Sequence, residues 1–160
     1  MRSFPLTLAL TTAVTLSVAP MSWAADPFEG TWDLDANLSR YNPGPARKSE
    51  WRTYRVDGKT IHMVGSVTFA DGTSETIEYS GAYDGKDYPV RGNPRVHAIA
   101  QTKVDDYTVR TTTKRDGNVT ATSTRVVSKD GQTMTVTTTG TTEKGVAFDN
   151  ALVFHKRSSP

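Results

Sequence analysis

Five Asp-Gly dipeptides, at 57–58, 71–72, 84–85, 116–117 and 130–131, punctuate this chain, and three of the four gaps between them are 13 or 14 residues. Such a gap is about the length of one strand and one tight turn. Asp-Gly suits the two-residue hairpin turn because both central residues take positive φ, which Gly accepts freely and Asp tolerates. Strands joined in order by such turns lie beside their sequence neighbours. The spacing therefore predicts an antiparallel meander.

The first 24 residues have the build of an export signal. Arg2 supplies a positive start, residues 6–18 are apolar apart from Thr and Ser, and Ser22-Trp23-Ala24 places small residues where a signal peptidase reads. The apolar run is too short to span a bilayer as a helix. The sequence has no Cys, so it offers no thiol for a lipid anchor or a disulfide. The expectation is cleavage near Ala24 and one domain, residues 25–160, periplasmic or secreted. Without Arg2 the domain carries 18 basic and 17 acidic residues with the signs interspersed. A nucleic-acid surface would show a basic stripe, so nucleic acid is not an expected partner.

Period-two alternation marks the strands. A first strand is expected at 30–35, then one or two helical turns at 36–41, ended by Asn42-Pro43-Gly44-Pro45 because each Pro removes a backbone donor. Extended segments follow at 48–56, 59–70, 73–83, 95–104, 107–115, 118–128, 132–140 and 146–157. The last five are rich in Thr and Val, which fit a pleated, half-buried surface. This reading gives an all-β chain of about nine strands. Residues 84–94 are too dense in turn residues for a regular strand and read as a long connection, with room for a brief strand at 87–90. Long strands in meander order leave two edges open to pairing, and closing the sheet into an up-and-down barrel removes both.

The alternation also predicts which side chains face inward. One phase holds Ile61, Met63, Val67 and Phe69 with Gly65, and the next Ile77, Tyr79 and Tyr83 around Gly81. Later strands give Val96, Ala98, Ala100 and Thr102, then Tyr107, Val109, Thr111 and Thr113. Val119, Ala121, Ser123, Arg125 and Val127 follow, then Met134, Val136 and Thr138, and last Phe148, Asn150, Leu152 and Phe154. Many of these are small, which leaves room for a cavity of the kind that takes a small molecule. A bulge in any strand would reverse its phase. Arg125 is the most informative member, because a buried guanidinium needs either an internal carboxylate, with Glu75 the nearest candidate, or the acid group of a ligand. Phe69, Tyr79, Tyr83, Tyr107 and Asn150 are the further candidate lining residues.

His62, His97 and His155 fall on the opposite phase, on separate strands, so no metal ligand set is expected. Reversal of the last strand's phase would make His155 a possible axial haem ligand. No cofactor is expected. There is no Gly-x-Ser-x-Gly, no thiol and no triad spacing, and catalytic residues are expected to be absent. Three functions stay open: binding of a small, mainly apolar molecule inside the barrel; an interaction module using the 84–94 loop; and a cavity isomerase or cyclase.

Gly30-Thr31-Trp32 resembles the Gly-x-Trp signature of the calycins, the lipocalins and fatty-acid-binding proteins. That resemblance implies that Trp32 closes one end of the barrel under a cation from the last strand, Lys156 or Arg157, with Arg157 expected. The stretches 30–34, 39–45, 83–90 and 122–131 are similar to a group of exported bacterial lipocalin-like proteins, which implies a fold and a compartment but no particular activity. The Arg-x-Tyr pair with which fatty-acid-binding proteins hold a carboxylate is replaced here by Leu152 and Phe154.

Overall fold

The computed structural model describes residues 26–44 and 46–158, so the expected export signal and its cleavage site lie outside the described residues. Ten strands follow one another: β1 (Gly30–Arg40), β2 (Arg47–Asp57), β3 (Thr60–Phe69), β4 (Ser74–Gly81), β5 (Asp84–Arg91), β6 (Ala98–Asp105), β7 (Thr108–Arg115), β8 (Asn118–Val127), β9 (Thr133–Thr141) and β10 (Ala147–Lys156). Each pairs antiparallel with its sequence neighbours, and β1 pairs with β10 to close the barrel. No helix occurs among the described residues. The expected helical turns at 36–41 are instead a bulge in β1, where the ladder steps from Asp35↔Val153 to Arg40↔Ala151. Asp35 holds that bulge, its carboxylate accepting from the Asn37 and Leu38 amides at 2.9 and 3.1 Å.

The tenth strand is β5, which occupies most of the stretch expected as a loop. It pairs with β4 only through Glu78↔Arg91 and Tyr79↔Val90. The Val90 amide donates to His97 at 2.9 Å on the β6 side. The amide of residue 89 would point the other way, toward β4, at the point where the short β4–β5 ladder of Val90 and Arg91 ends. Pro89 therefore fits a strand that its turn-like composition seemed to exclude. Asp84-Gly85 is likewise no hairpin turn, because Gly85 (φ +77°) lies where the β5–β6 register shifts between Asp84 and Asp87. Of the five dipeptides, only Asp116-Gly117 has positive φ at both residues, +50° and +79°.

Burial divides the barrel into two storeys. The lower end is packed solid, with Phe28, Trp32, Tyr54, Ile61, Met134, Leu152 and Phe154 buried. Toward the other end the inward-facing Leu34, Val67, Ile77, Ala121, Ser123, Thr138 and Asn150 are only half-buried. An inward side chain of a closed barrel reaches solvent only if the lumen is open there. The barrel is a cup.

Two expected phases are corrected. In β6 the buried residues are Ile99 and Gln101, so Ala98, Ala100 and Thr102 face outward. Burying one Ile outweighs burying alanines, since the apolar area removed from water decides the face. Val119 is 60% exposed, because the β7–β8 ladder slips between Thr113 and Lys114 and pairs Lys114 with Val119. That slip reverses the phase at the start of β8.

Candidate functional site

The floor of the cup begins at the N-terminal plug. Trp32 is buried and its indole N–H donates to the Phe28 carbonyl at 2.9 Å. Lys156 lies over the indole with Nζ 5.2 Å from the ring centre, a cation–π contact. To reach it, the Lys156 stem crosses Gly30, where a Cβ would fall 2.7 Å from Lys156 Cε and φ is +123°. Gly30 is thus required twice, by conformation and by the passage of this side chain. Arg157 is one residue on and points to the opposite face, where it forms a two-pronged pair with Asp33 at 2.5 and 2.8 Å. The closing cation is Lys156 and not Arg157.

Arg125 sits immediately above the plug and is 4% exposed. Its guanidinium carbon lies 4.7 Å from the Phe28 ring centre and 4.4 Å from that of Tyr54. One terminal nitrogen donates to the Tyr83 hydroxyl at 3.5 Å, and Nε has no partner. Among the described residues no carboxylate pairs with it. Glu75, the expected internal partner, is held by Arg95 and Asn93. Glu50, buried, is held by Arg47 and, at 2.6 Å, by Arg52. Asp26 is taken by Lys103 at 3.3 Å.

The surrounding phenols feel this charge. Burial, with Tyr54 alongside, pushes the Tyr79 phenol up to about 12, and burial also pushes Tyr83 up. Burial acts on Tyr54 in the same sense, but the Arg125 and Arg52 guanidiniums outweigh it and leave that phenol below its ordinary value. For Arg125, burial opposes the charge while Tyr54, Tyr79 and Tyr83 favour it more strongly, so the guanidinium stays protonated. The Tyr54 hydroxyl stands beside Arg52 and Arg125, and the Tyr79 hydroxyl beside Arg125 and Gln101, yet neither is close and aligned enough for a well-formed hydrogen bond, and the Gln101 side-chain carbonyl has no such bond either.

Above Arg125 runs a row of uncharged polar side chains in direct cross-strand register: Gln101↔Thr111, Thr111↔Ser123, Ser123↔Thr138 and Thr138↔Asn150. The row below it is Lys103, Val109, Arg125, Val136 and Leu152. The two rows are two residues apart along each strand, ~7 Å. Gln101 donates to Thr111 at 3.3 Å, and Ser123 and Thr138 share a hydrogen bond of 2.8 Å.

Of the residues singled out from sequence, Arg125, Tyr79 and Tyr83 come together at the floor, and Asn150 stands at the end of the polar row, accepting from the Asn42 amide at 3.2 Å. Phe69 lies apart at the rim, under Arg95 at 5.6 Å, beside a surface depression of about 340 Å³. Tyr107 does not reach the lumen. It precedes β7, where alternation has not begun, and stacks under Lys129 at 4.3 Å in a surface depression of about 500 Å³. Phase reading missed Gln101, on the reversed strand, and Tyr54, Arg52 and Glu50, on a segment to which no face was assigned. Their spacing at 50, 52 and 54 was the available signal.

The histidines face outward. His62 bonds Ser80 at 2.8 Å, His97 lies 3.1 Å from Asp116 and His155 lies 3.3 Å from Asp35. A haem inside the barrel would have no axial ligand from His155.

No protein-family model and no curated protein matches the chain. Among solved structures, it is similar to a redesigned β-barrel, mFAP1, bound to DFHBI, with 17% identity over 85% of this chain and all of that one and a TM-score of 0.45.

Proposed function

We propose that this barrel binds a small, mainly apolar molecule non-covalently in its cup, with an acid or other acceptor group of that molecule set against Arg125. One observation carries the proposal: a guanidinium buried at the closed end of a barrel with no carboxylate among the described residues to balance it. An uncompensated buried charge is costly, and a ligand anion is the partner that removes the cost. The half-buried wall of Leu34, Val67, Ile77 and Ala121 supplies the apolar surface above it. The proposal includes the lipocalin-like kind and the compartment: the leader features of residues 1–24 suit a barrel at work in the periplasm or outside the cell. Residues 84–91 are built into the wall as β5, so an interaction module there would present an exposed strand and not a long loop.

A cavity isomerase or cyclase is the second reading, favoured by Tyr54, whose phenol is held low between two guanidiniums inside the lumen. Native mass spectrometry of the chain purified from the cells that make it tests the first reading. A retained small molecule is expected, whereas the bare chain mass alone contradicts it. A bound molecule recovered chemically altered would favour the second reading.

A further inference from the structure

The floor of the cup holds two kinds of unmet hydrogen-bonding group. Arg125 Nε–H and the Tyr54 and Tyr79 hydroxyls are donors without acceptors, and the Gln101 side-chain oxygen is an acceptor without a donor. Buried polar groups are nearly always paired, so four orphans around one charge describe what is missing from the site. Tyr79 stands beside both Arg125 and Gln101, so an ionised carboxylate, which only accepts hydrogen bonds, satisfies Arg125 and draws the Tyr79 O–H to itself, leaving the Gln101 oxygen without a donor. Gln101 needs a ligand O–H or N–H.

Turning the Gln101 amide over does not change the requirement for a second polar group. Its oxygen would then accept from Thr111, and its NH₂ would be the orphan, asking for an acceptor. A hydroxyl answers either orientation, because it both donates and accepts. Thr111, Ser123 and Thr138 continue from Gln101 as a row of hydroxyls facing the same lumen. A wall meant for a plain hydrocarbon chain would carry aliphatic side chains at these positions, as the row beneath does at Val109, Val136 and Leu152.

We infer that the ligand is a hydroxylated carboxylate, its acid on Arg125 and a nearby hydroxyl on Gln101 and the Thr111–Ser123–Thr138 row. This rests on the binding function proposed above and names the class of ligand within it. The row sets specificity: a site built to hydrogen-bond a hydroxyl discriminates against the analogue that lacks it, because the site's own polar groups are then left unpaired.

Titration calorimetry of the full chain with decanoate and with β-hydroxydecanoate tests the inference. The hydroxylated acid should bind roughly ten- to a hundredfold more tightly, the scale of one buried polar group gaining its partner. Gln101→Leu should bring the two affinities together, by weakening the binding of the hydroxylated acid and relieving the unpaired amide that decanoate leaves behind. If Gln101→Leu does not fold, the double variant Ser123→Ala/Thr138→Val should narrow the same gap. Equal affinity of the wild-type chain for the two acids would overturn the hydroxyl reading and leave the binding function standing. Failure of both acids to bind would overturn the hydroxylated-acid inference, while the binding function itself falls only if the chain purified from its own cells also shows its bare mass.

Discussion

A buried guanidinium loses its water and normally recovers the loss from a carboxylate, but Arg125 has two aromatic faces and a long bond to Tyr83 instead. Cation–π contacts return part of that loss, about 2 kcal/mol or more when desolvated, and no more than part. Replacing the charge by an apolar side chain of similar reach should therefore stabilise the empty protein. Arg125→Met is expected to raise the unfolding free energy by about 1–4 kcal/mol, the range seen when buried charges give way to packing. Urea denaturation measures it, and a loss of stability would make Arg125 a structural residue.

Glu50 is the opposite case, a buried carboxylate between Arg47 and Arg52. Burial raises its pKa, but the two guanidiniums outweigh burial and hold the folded-state value below the ordinary one. A depressed folded-state pKa contributes stability that is complete above the unfolded value, near 4.3, and is lost as pH falls through the folded one. Thermal midpoints should accordingly drop below about pH 4. Glu50→Gln should cost about 3–5 kcal/mol at neutral pH, by stranding two cations, and should flatten the acid limb. An unchanged acid limb in that variant would place the sensitivity elsewhere.

At the scale of elements, the closing of the barrel depends on how β1 begins and β10 ends. Gly30, Trp32 and Lys156 form one device: the glycine leaves space, the lysine crosses it, and the indole is capped. Gly30→Ala should destabilise by about 1–3 kcal/mol, the range for a side chain forced into a glycine-only conformation. Part of that cost is steric and falls on a flexible side chain, so Lys156→Ala should remove that part and leave the conformational part. A double-mutant cycle read by chemical denaturation would show it, and strict additivity would mean that the two residues do not meet. Gly30-Thr31-Trp32 was legible in the sequence as a motif. Choosing between Lys156 and Arg157 needed the register, since neighbours on a strand face opposite ways. β6 was illegible for a related reason: its two alanines imitate an apolar face, and only the ladder to Thr111 and Thr113 shows that Ile99 and Gln101 face inward.

At the scale of the whole molecule, the meander was readable because turn residues recur at strand-length intervals, whatever turn each one makes. Asp84-Gly85 belongs to a bulge, yet the strand order it suggested is the observed order. The inward position of Arg125 was also readable, because β8 alternates without interruption from Ala121 to Val127. The absence of an acid beside it was not, since Glu75 shares the inner face and only the folded rim shows it spent on Arg95. Nor could the two storeys be read, because whether an inward side chain meets protein or solvent depends on all ten strands together.

The claim that unites these scales is that the unbalanced charge at the floor exists for a ligand. Native mass spectrometry of the wild-type and Arg125→Met chains, each expressed in and purified from the cells that normally make the protein, tests it most directly. The wild-type chain should carry a small acidic molecule at one per chain, and Arg125→Met should be empty. A wild-type chain at its bare mass, or an adduct that both chains keep equally, would contradict it.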